Sequence, residues 1–332
     1  MTVETIKAGL KKKAYKPVYW LEGDEDFFID EIIDFAAASI LSESEASFNL
    51  TVFYGKDTDW ATLYNACRRY PMFSETQVVI VKEAQEMRGI EKLESYIEKP
   101  LLSTLLFIAY KGKKVDKRTK LAKLLKEHAV LFTTKKMYDS ELPEWTANLI
   151  QSKELTITGK ARQLLIDHIG NDLNRLNNEI DKLALNLGNS KNITEDAIET
   201  YVGISKEFNV FELQHAVAHA DFYKAMRIVQ YFEANPKAAP LPLIFPSLYS
   251  FFSKVPVVFT AGRDEKNIAT ALGVSPFFAR DYLHAANHFG QHGIEMILLL
   301  LHHYNLKSIG IGDAGTADME LLKEMLAKIM VH

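Results

Sequence analysis

The turn after the first β-rich run is where nucleotide phosphate chemistry would be expected. A loop of the form G-x-x-x-x-G-K-[ST] cradles phosphates with backbone N–H groups, neutralises them with its lysine and holds magnesium through its hydroxyl. Here the turn reads Gly23-Asp24-Glu25-Asp26. Like charges at close range repel, so we expect these carboxylates to disfavour a triphosphate. Gly23, Asp24 and Glu25 are therefore interpreted as a degenerate phosphate loop.

Three Gly-Lys pairs elsewhere do not replace this loop. None has a glycine five positions upstream or a Ser or Thr after the lysine; the pairs begin at Gly55, Gly112 and Gly159. A nucleotide held through unusual contacts remains the alternative, and it would make the chain an ATPase or a nucleotide switch. We predict no catalytic residue and no cofactor.

Histidines spaced by four suggest a metal site only weakly. His284, His288 and His292 could line one helix face and offer a pair of zinc ligands. Gly290 interrupts the pattern, and no carboxylate or cysteine completes an obvious constellation. We therefore predict no metal.

Other candidate groupings favour ordinary structure. Cys67 precedes two arginines, which could lower its thiol pKa, but a packed helical thiol is the preferred interpretation. Glu179 and Asp181 alternate with basic residues and indicate charge pairs on a helix surface. Residues 310–315 match G-x-G-x-x-G but lack a preceding strand, so we expect an interhelical turn.

An apolar pair within a polar loop is the best candidate for binding. Pro71 ends a predicted helix, and Met72 and Phe73 follow it. The two side chains either pack back as a cap on the sheet or project as an anchor for the pocket of a partner. Aromatic anchors contribute about 2 kcal/mol or more to many interfaces. The residues alone leave both alternatives open.

A basic cluster follows the fourth predicted strand. Its members are Lys111, Lys113, Lys114, Lys117, Arg118 and Lys120. A solvated surface is the favoured interpretation. The alternative is a contact with DNA phosphates or with a neighbouring subunit, which would weaken as salt rises.

Residues 1–138 alternate between strand and helix patterns. Strands are predicted at 17–22, 48–54, 77–81, 104–110 and 129–133, with helices at 25–41, 59–69, 88–98 and 117–127. Strands separated by helices of this length form a parallel sheet with helices on its faces. The run Val78–Val81 is apolar throughout, as in a strand buried on both faces.

The rest of the chain is predicted to be helical. Residues 139–206 predict four short helices and no strand, at 141–152, 159–169, 172–187 and 194–201. Residues 207–332 predict longer helices, with a break within 241–259 because of its prolines. This order resembles an AAA+ (RecA-like) α/β domain over 1–138, a small helical lid over 139–206 and an all-α collar over 207–332.

Composition is that of an ordinary globular protein. The formal net charge is -4, which gives no bulk attraction to nucleic acid. The single cysteine excludes an internal disulfide and fits a reducing compartment. The longest apolar runs, such as 294–301, fall short of a membrane span. We expect a soluble cytoplasmic protein with no membrane partner.

Four segments in order resemble the delta subunit family of the bacterial DNA polymerase III clamp loader. These segments are 17–25 (PVYWLEGDE), 70–81 (YPMFSETQVVIV), 170–183 (beginning GNDL and ending NEIDKL) and 203–213 (GISKEFNVFEL). No single one is as specific as a catalytic signature. Their order and spacing over essentially the whole chain carry the resemblance.

The resemblance implies a non-ATPase subunit in a five-membered ring with the delta-prime and gamma or tau subunits. It implies that the N-terminal domain binds the beta sliding clamp and helps to open it for primed DNA. The family anchors on the clamp through a large aliphatic residue and a phenylalanine, and Met72 and Phe73 with Pro71 occupy that place. Methionine in place of the commoner leucine is a mild departure, because its flexible thioether fills irregular pockets.

Overall fold

The structure is a computed structural model. It describes residues 1–332 except 189, 206, 237, 263, 275, 314 and 332. At 276 and 277 it describes the backbone but not the side chains. The chain divides into two compact units, Met1–Met137 and Tyr138–His332.

The first unit is built around a five-stranded parallel sheet in the order β2-β3-β4-β1-β5. Its elements are α1 (Val3–Lys11), β1 (Val18–Gly23), α2 (Asp26–Ser39), α3 (Glu43–Asn49), β2 (Leu50–Tyr54), α4 (Trp60–Cys67), β3 (Gln77–Lys82), α5 (Glu94–Glu98), β4 (Thr104–Lys111), α6 (Lys120–His128) and β5 (Val130–Thr134). Short 3-10 turns lie at Ala84–Glu86 and Ile90–Leu93. All five predicted strands are present, and the parallel sheet is confirmed.

Alternation along the strands separates two apolar cores, one on each face of the sheet. Tyr19 and Phe107 stack with ring centroids 4.4 Å apart on the face covered by α1 and α2. Trp20 and Ile108 lie in register on the opposite face, against α4, α5 and α6. Because successive side chains of a strand point to opposite faces, neighbouring residues of β1 enter different cores.

Several local predictions for this unit were wrong. Helices α1 and α3 were not predicted, and residues 48 and 49 belong to α3 instead of β2. Helix α3 begins with a capping box, in which Ser42 and Glu45 form reciprocal hydrogen bonds. This pattern indicates the start of a helix, but the predicted strand at 48–54 did not take it into account. The predicted helix 88–98 is a 3-10 turn followed by the five-residue α5.

The second unit is mostly helical. It contains α7 (Leu142–Ser152), β6 (Thr156–Ile157), α8 (Gly159–Ile169), α9 (Leu173–Asn186), β7 (Asn192–Ile193), α10 (Glu195–Tyr201), α11 (Val210–Ala218), α12 (Phe222–Ala234), α13 (Leu241–Phe252), α14 (Pro256–Ala261), α15 (Glu265–Leu272), α16 (Pro276–Ser308) and α17 (Asp318–Ile329). The four short helices are confirmed. The expectation of no strand here was wrong, since β6 and β7 pair in parallel.

Proline and glycine interrupt the longer helices. Helix α13 contains Pro246 and ends before α14 begins at Pro256, which confirms the predicted break. Within α16, Gly290 adopts φ 63° and ψ 178°, so two helical pieces meet there at a kink. His292 therefore follows the interruption, on a different helical piece from His284.

One helical segment of the described residues is long and apolar enough to cross a membrane by length and composition. It is Leu241–Ala261, with a mean hydropathy of 1.4. The uninterrupted apolar runs considered in the sequence are shorter, because Ser253 and Lys254 lie within this segment. Its side chains Ile244, Leu248 and Phe252 are fully buried in the core of the unit. A buried core helix passes the same test, so the finding is weak evidence for a membrane span.

Candidate functional site

The turn after β1 is closed against its neighbours in the sheet. Gly23 has φ +129°, and a Cβ there would lie 2.3 Å from the carbonyl oxygen of Thr134. The Gly23 N–H donates to the carbonyl of Lys113 (3.1 Å), and the Gly112 N–H donates to the carbonyl of Gly23 (2.8 Å). Only two residues separate β1 from α2. A turn this short and this tightly bonded cannot wrap its N–H groups around a phosphate chain as a longer glycine-rich loop does.

The acidic turn and the basic cluster, treated as separate features in the sequence, meet in the structure. Lys114 Nζ lies 2.6 Å from Asp24 Oδ2. Lys111 Nζ lies 2.6 Å from Asp30 Oδ1 in the first turns of α2. Glu25 is buried, and its Oε2 atom lies 3.5 Å from Lys136 Nζ. The negative charge of the turn is therefore balanced within the unit.

The members of the basic cluster differ in their partners. Arg118 pairs with Asp116 at 2.7 Å, and Lys120 lies 3.8 Å from Glu94. Lys113 and Lys117 are exposed and form no ion pair in the part of the chain that the structure describes. These two lysines are the members of the cluster whose charge is most available to a phosphate.

Met72 and Phe73 project from the loop between α4 and β3. The Phe73 side chain is 91% exposed and that of Met72 is 54% exposed. The sequence left open whether these two side chains pack back on the sheet or project into solvent, and in the structure they project. The ring of Phe48 at the end of α3 meets the Phe73 ring edge to face, at 6.4 Å between centroids. Pro71 is half-buried beside them. We call Phe48, Met72 and Phe73 the apolar tip.

The backbone under the apolar tip is fixed from α3. Asn49 Nδ2 donates to the Met72 carbonyl at 2.8 Å, and Asn49 Oδ1 accepts from the Met72 N–H at 2.7 Å. Phe73 has φ 55°, in the left-handed region that a bulky side chain rarely adopts. Such a conformation persists where the surroundings over-determine it, and such residues cluster at functional sites.

A second anchor lies at the far end of the loop. Gln77 is buried at the start of β3, and its Nε2 donates to the Arg69 carbonyl and to Thr104 Oγ1, both at 2.6 Å. Hydrogen bonds from Ser42, and then from the side chain of Ser74, lower the pKa of Glu45 to about 2. The loop is thus bonded to α3, α4 and β4.

Phe48, Asn49 and Gln77 were not predicted to belong to the site. Asn49 lay inside a predicted strand, and it acts on a residue 23 positions away. No periodic pattern connects the two positions. The one available signal was the capping box of α3, which would have moved Phe48 and Asn49 out of the strand.

The remaining candidates have ordinary roles. Burial raises the pKa of the Cys67 thiol to about 12, so it is a packed thiol. Glu179 pairs with Lys182 one turn along α9 as expected, whereas Asp181 pairs with Lys153, the residue after the end of α7. The glycine pattern 310–315 includes residue 314, which lies outside the described residues; it follows α16 and is not preceded by a strand.

Comparisons with known proteins agree on one family. The family model described as DNA polymerase III, delta subunit, matches residues 19–135. The curated protein "DNA polymerase III subunit delta" of Bacillus subtilis (strain 168) is 26% identical over 329 residues, covering 95% of this chain and 93% of its own length.

One solved structure shows the same fold. The "Bacillus subtilis DNA clamp loader delta protein (YqeN)" matches with a TM-score of 0.54 and 24% identity, covering 100% of both chains. Thermotoga maritima RuvB, a Holliday junction branch migration motor, matches with a TM-score of 0.37 and 12% identity over 87% of this chain and 85% of its own. The resemblance seen in the sequence is confirmed: residues 19–135 match the delta-subunit family model, and the similarity to the Bacillus subtilis delta subunit extends over 95% of this chain.

Proposed function

We propose that this chain is the delta subunit of a bacterial clamp loader and binds the ring-shaped sliding clamp through the apolar tip. The observation that carries the proposal is the state of Phe73, which is 91% exposed and held in the left-handed region. The free energy falls when an aromatic side chain moves from water into a pocket that covers it. A loop already fixed in place loses little entropy on binding, so more of that gain appears as affinity.

The proposal assigns no ATP hydrolysis to this chain. The turn after β1 is closed by Thr134 and by the Gly23 backbone bonds, and Lys111 and Lys114 neutralise carboxylates instead of phosphates. The ATPase or nucleotide-switch alternative predicts saturable binding of ATP to the isolated chain. Calorimetry with Mg-ATP separates the two functions, because the clamp-loader proposal predicts no binding heat.

The same proposal gives the helical segments their roles. Residues 139–206 form a lid, and residues 207–332 form a collar that joins delta-prime and gamma or tau subunits in a cytoplasmic complex acting on primed DNA. The boundary falls at residue 206, outside the described residues. Exposed apolar side chains support the collar as a contact surface; they include Tyr249, Leu299, Ile309 and Ile311.

Opening of the clamp follows from differential affinity. A ligand shifts a conformational equilibrium only by the difference between its affinities for the two states. The apolar tip therefore helps to open a clamp interface if its pocket fits Phe73 better in the open ring. This part is tested by comparing the affinity of the chain for a closed wild-type clamp with that for a clamp whose interface has been weakened.

The binding experiment uses surface plasmon resonance with immobilised clamp. Phe73→Ala is expected to weaken binding by about thirtyfold or more, because loss of an aromatic anchor costs about 2 kcal/mol. Leu185→Ala, which removes an 84% exposed apolar side chain of α9, is the matched control and should leave the affinity unchanged. A folded Met72→Ala/Phe73→Ala variant that binds clamp as tightly as the unaltered chain would refute the proposal.

A further inference from the structure

Two histidines and one aspartate converge at the contact between α11 and α16 in the second unit. His219 Nε2 lies 3.0 Å from Asp281 Oδ1, and His215 Nε2 lies 3.7 Å from the same oxygen. His215 and His219 are four residues apart, so they share one side of α11 and its C-terminal cap. All three ligand atoms lie within 4.8 Å of one another.

The rings of this cluster are stacked. His219 lies between His215, at 4.2 Å between ring centroids, and His284, at 4.0 Å. Stacking fixes the plane of the His219 ring and keeps its Nε2 atom directed at Asp281. The spacing in the sequence grouped His284 with His288 and His292. The carboxylate missing from that grouping is Asp281, three residues before His284 on the same helix.

We propose that His215, His219 and Asp281 bind a divalent transition-metal ion of the zinc class. Imidazole nitrogens and a carboxylate oxygen are ligands that zinc uses, at about 2.0–2.2 Å from the ion. At these bond lengths, ligand atoms around a tetrahedral ion lie about 3.3 Å apart. The distances from Asp281 Oδ1 to the two Nε2 atoms, 3.0 and 3.7 Å, lie on either side of that value. No two ligand atoms are more than 4.8 Å apart, so none of these distances must shorten by more than about 1.5 Å.

The contact of His215 with Asp281 is the part of the cluster that an ion improves most. At 3.7 Å it is too long to be a hydrogen bond. An ion between the three groups would bond to both imidazoles and to the carboxylate at once. His219 alone satisfies Asp281 through a hydrogen bond, so the competing occupant of the site is a proton on His219.

Two cations near Asp281 pair with other carboxylates. Arg280, the preceding residue, directs its Nε atom to both carboxylate oxygens of Glu265, at 3.1 and 3.2 Å. Lys224 forms an ion pair with Glu212. Both positive charges are therefore engaged with other carboxylates, and the ion pairs that Asp281 forms among the described residues are those with His215 and His219.

The cluster borders a cavity of about 940 Å³ in the second unit. Three protein ligands leave one position of a tetrahedral ion open, and all three side chains are among those that line the cavity. Zinc sites with three protein ligands keep a water molecule or an exchangeable ligand there. An ion would also link α11 to α16, so it should stabilise the folded chain.

The experiment titrates Zn²⁺ into the chelator-treated full chain by calorimetry. One saturable equivalent is expected, with affinity reduced tenfold or more in His215→Gln, His219→Gln and Asp281→Asn, because each removes a ligand. The control is His302→Gln, an exposed histidine outside the cluster, which should bind as the unaltered chain does. The melting temperature should rise by about 5 °C at saturating Zn²⁺, and only in chains that keep the three ligands.

Two outcomes overturn the inference. One is the absence of saturable binding in the micromolar range. The other is affinity retained in both His215→Gln and Asp281→Asn, which would assign binding to scattered surface histidines. Circular dichroism checks the folding of each variant. If the variants do not fold, the visible spectrum of Co²⁺ added to the unaltered chain decides the matter, since the spectrum of the fully hydrated ion would also overturn the inference.

Discussion

Asn49 binds both polar groups of the Met72 backbone, donating to its carbonyl at 2.8 Å and accepting from its N–H at 2.7 Å. Asn49 is itself buried at the junction of α3 and β2. One amide side chain therefore fixes the loop position next to Phe73 from an element that is distant in sequence. The exposed aromatic ring depends on this buried contact for its orientation.

Asn49→Ala should lower both stability and clamp affinity. Two hydrogen bonds are lost and the Met72 backbone groups lose their partner, so the free energy of unfolding should fall by about 1–3 kcal/mol. Clamp affinity should fall severalfold although Phe73 is retained, because the loop must then be ordered on binding. Urea denaturation and surface plasmon resonance measure the two effects. Asn65→Ala, at an exposed position of α4, is the control. Full affinity in a folded Asn49→Ala chain would show that Asn49 does not organise the loop.

Gly23→Ala should be strongly destabilising. The added Cβ would lie 2.3 Å from the Thr134 carbonyl oxygen and 2.5 Å from Thr134 Oγ1, so β1 and β5 would have to separate. A loss of about 3 kcal/mol or more in the free energy of unfolding is expected for a clash of this kind between paired strands. Gly112→Ala is the control, since its Cβ meets nothing within 4 Å and only its φ of +64° costs about 1–2 kcal/mol. Equal losses in the two variants would mean that the contact with Thr134 does not decide the effect.

The parallel sheet could be predicted from sequence because each strand is a short apolar run between polar turns. The Val78–Val81 run is buried on both faces, as its composition requires. Elements with weak local signals could not be found this way. The strands β6 and β7 have two residues each. Helix α3 begins at its capping box and is followed by β2 with no turn between them.

The candidate site also contains residues that could be predicted from the sequence and contacts that could not. Met72 and Phe73 could be singled out because large apolar residues in a polar loop are unusual. The pairing of Asp24 with Lys114 spans 90 positions, and that of Asn49 with Met72 spans 23. Both contacts depend on which strands are neighbours in the sheet, and a single sequence does not specify strand order.

Lys113 and Lys117 should carry the salt-dependent part of DNA loading if the basic cluster touches DNA. Each lysine that contacts a phosphate contributes about 0.9 to the slope of log affinity against log salt concentration on duplex DNA. Lys113→Gln and Lys117→Gln should each reduce the magnitude of that slope for the assembled clamp loader, measured by fluorescence anisotropy with primed DNA. Lys126→Gln, exposed in the last turn of α6, is the control. Unchanged slopes in both test variants would assign the cluster to a solvated surface.

Asp167 in α8 holds a carboxyl group that favours its neutral form in the folded chain. Its Oδ2 atom is inaccessible and has no hydrogen-bond partner among the described residues, although Oδ1 accepts from Gln163 at 3.0 Å. Burial raises the pKa of Asp167 from 3.8 to about 7. Between these two values the folded chain retains a proton that the unfolded chain releases. Stability therefore falls as pH rises from about 4 to 7 and does not change further above that range through this group.

Asp167→Asn removes this titration while keeping the acceptor for Gln163. The variant and the unaltered chain should have similar stability near pH 4, where both carry a neutral side chain. At pH 8 the variant should be the more stable, by at most about 4 kcal/mol, because each unit of pKa shift corresponds to about 1.4 kcal/mol. Denaturant titrations at several pH values measure the difference, and other titrating groups cancel in it. Asp139→Asn, at an exposed position of the same unit, should show no such dependence. A stability difference that stays constant from pH 4 to 8 would mean that the pKa of Asp167 is not raised in the folded chain, with Lys254, the nearby cation that lowers this pKa, offsetting the effect of burial.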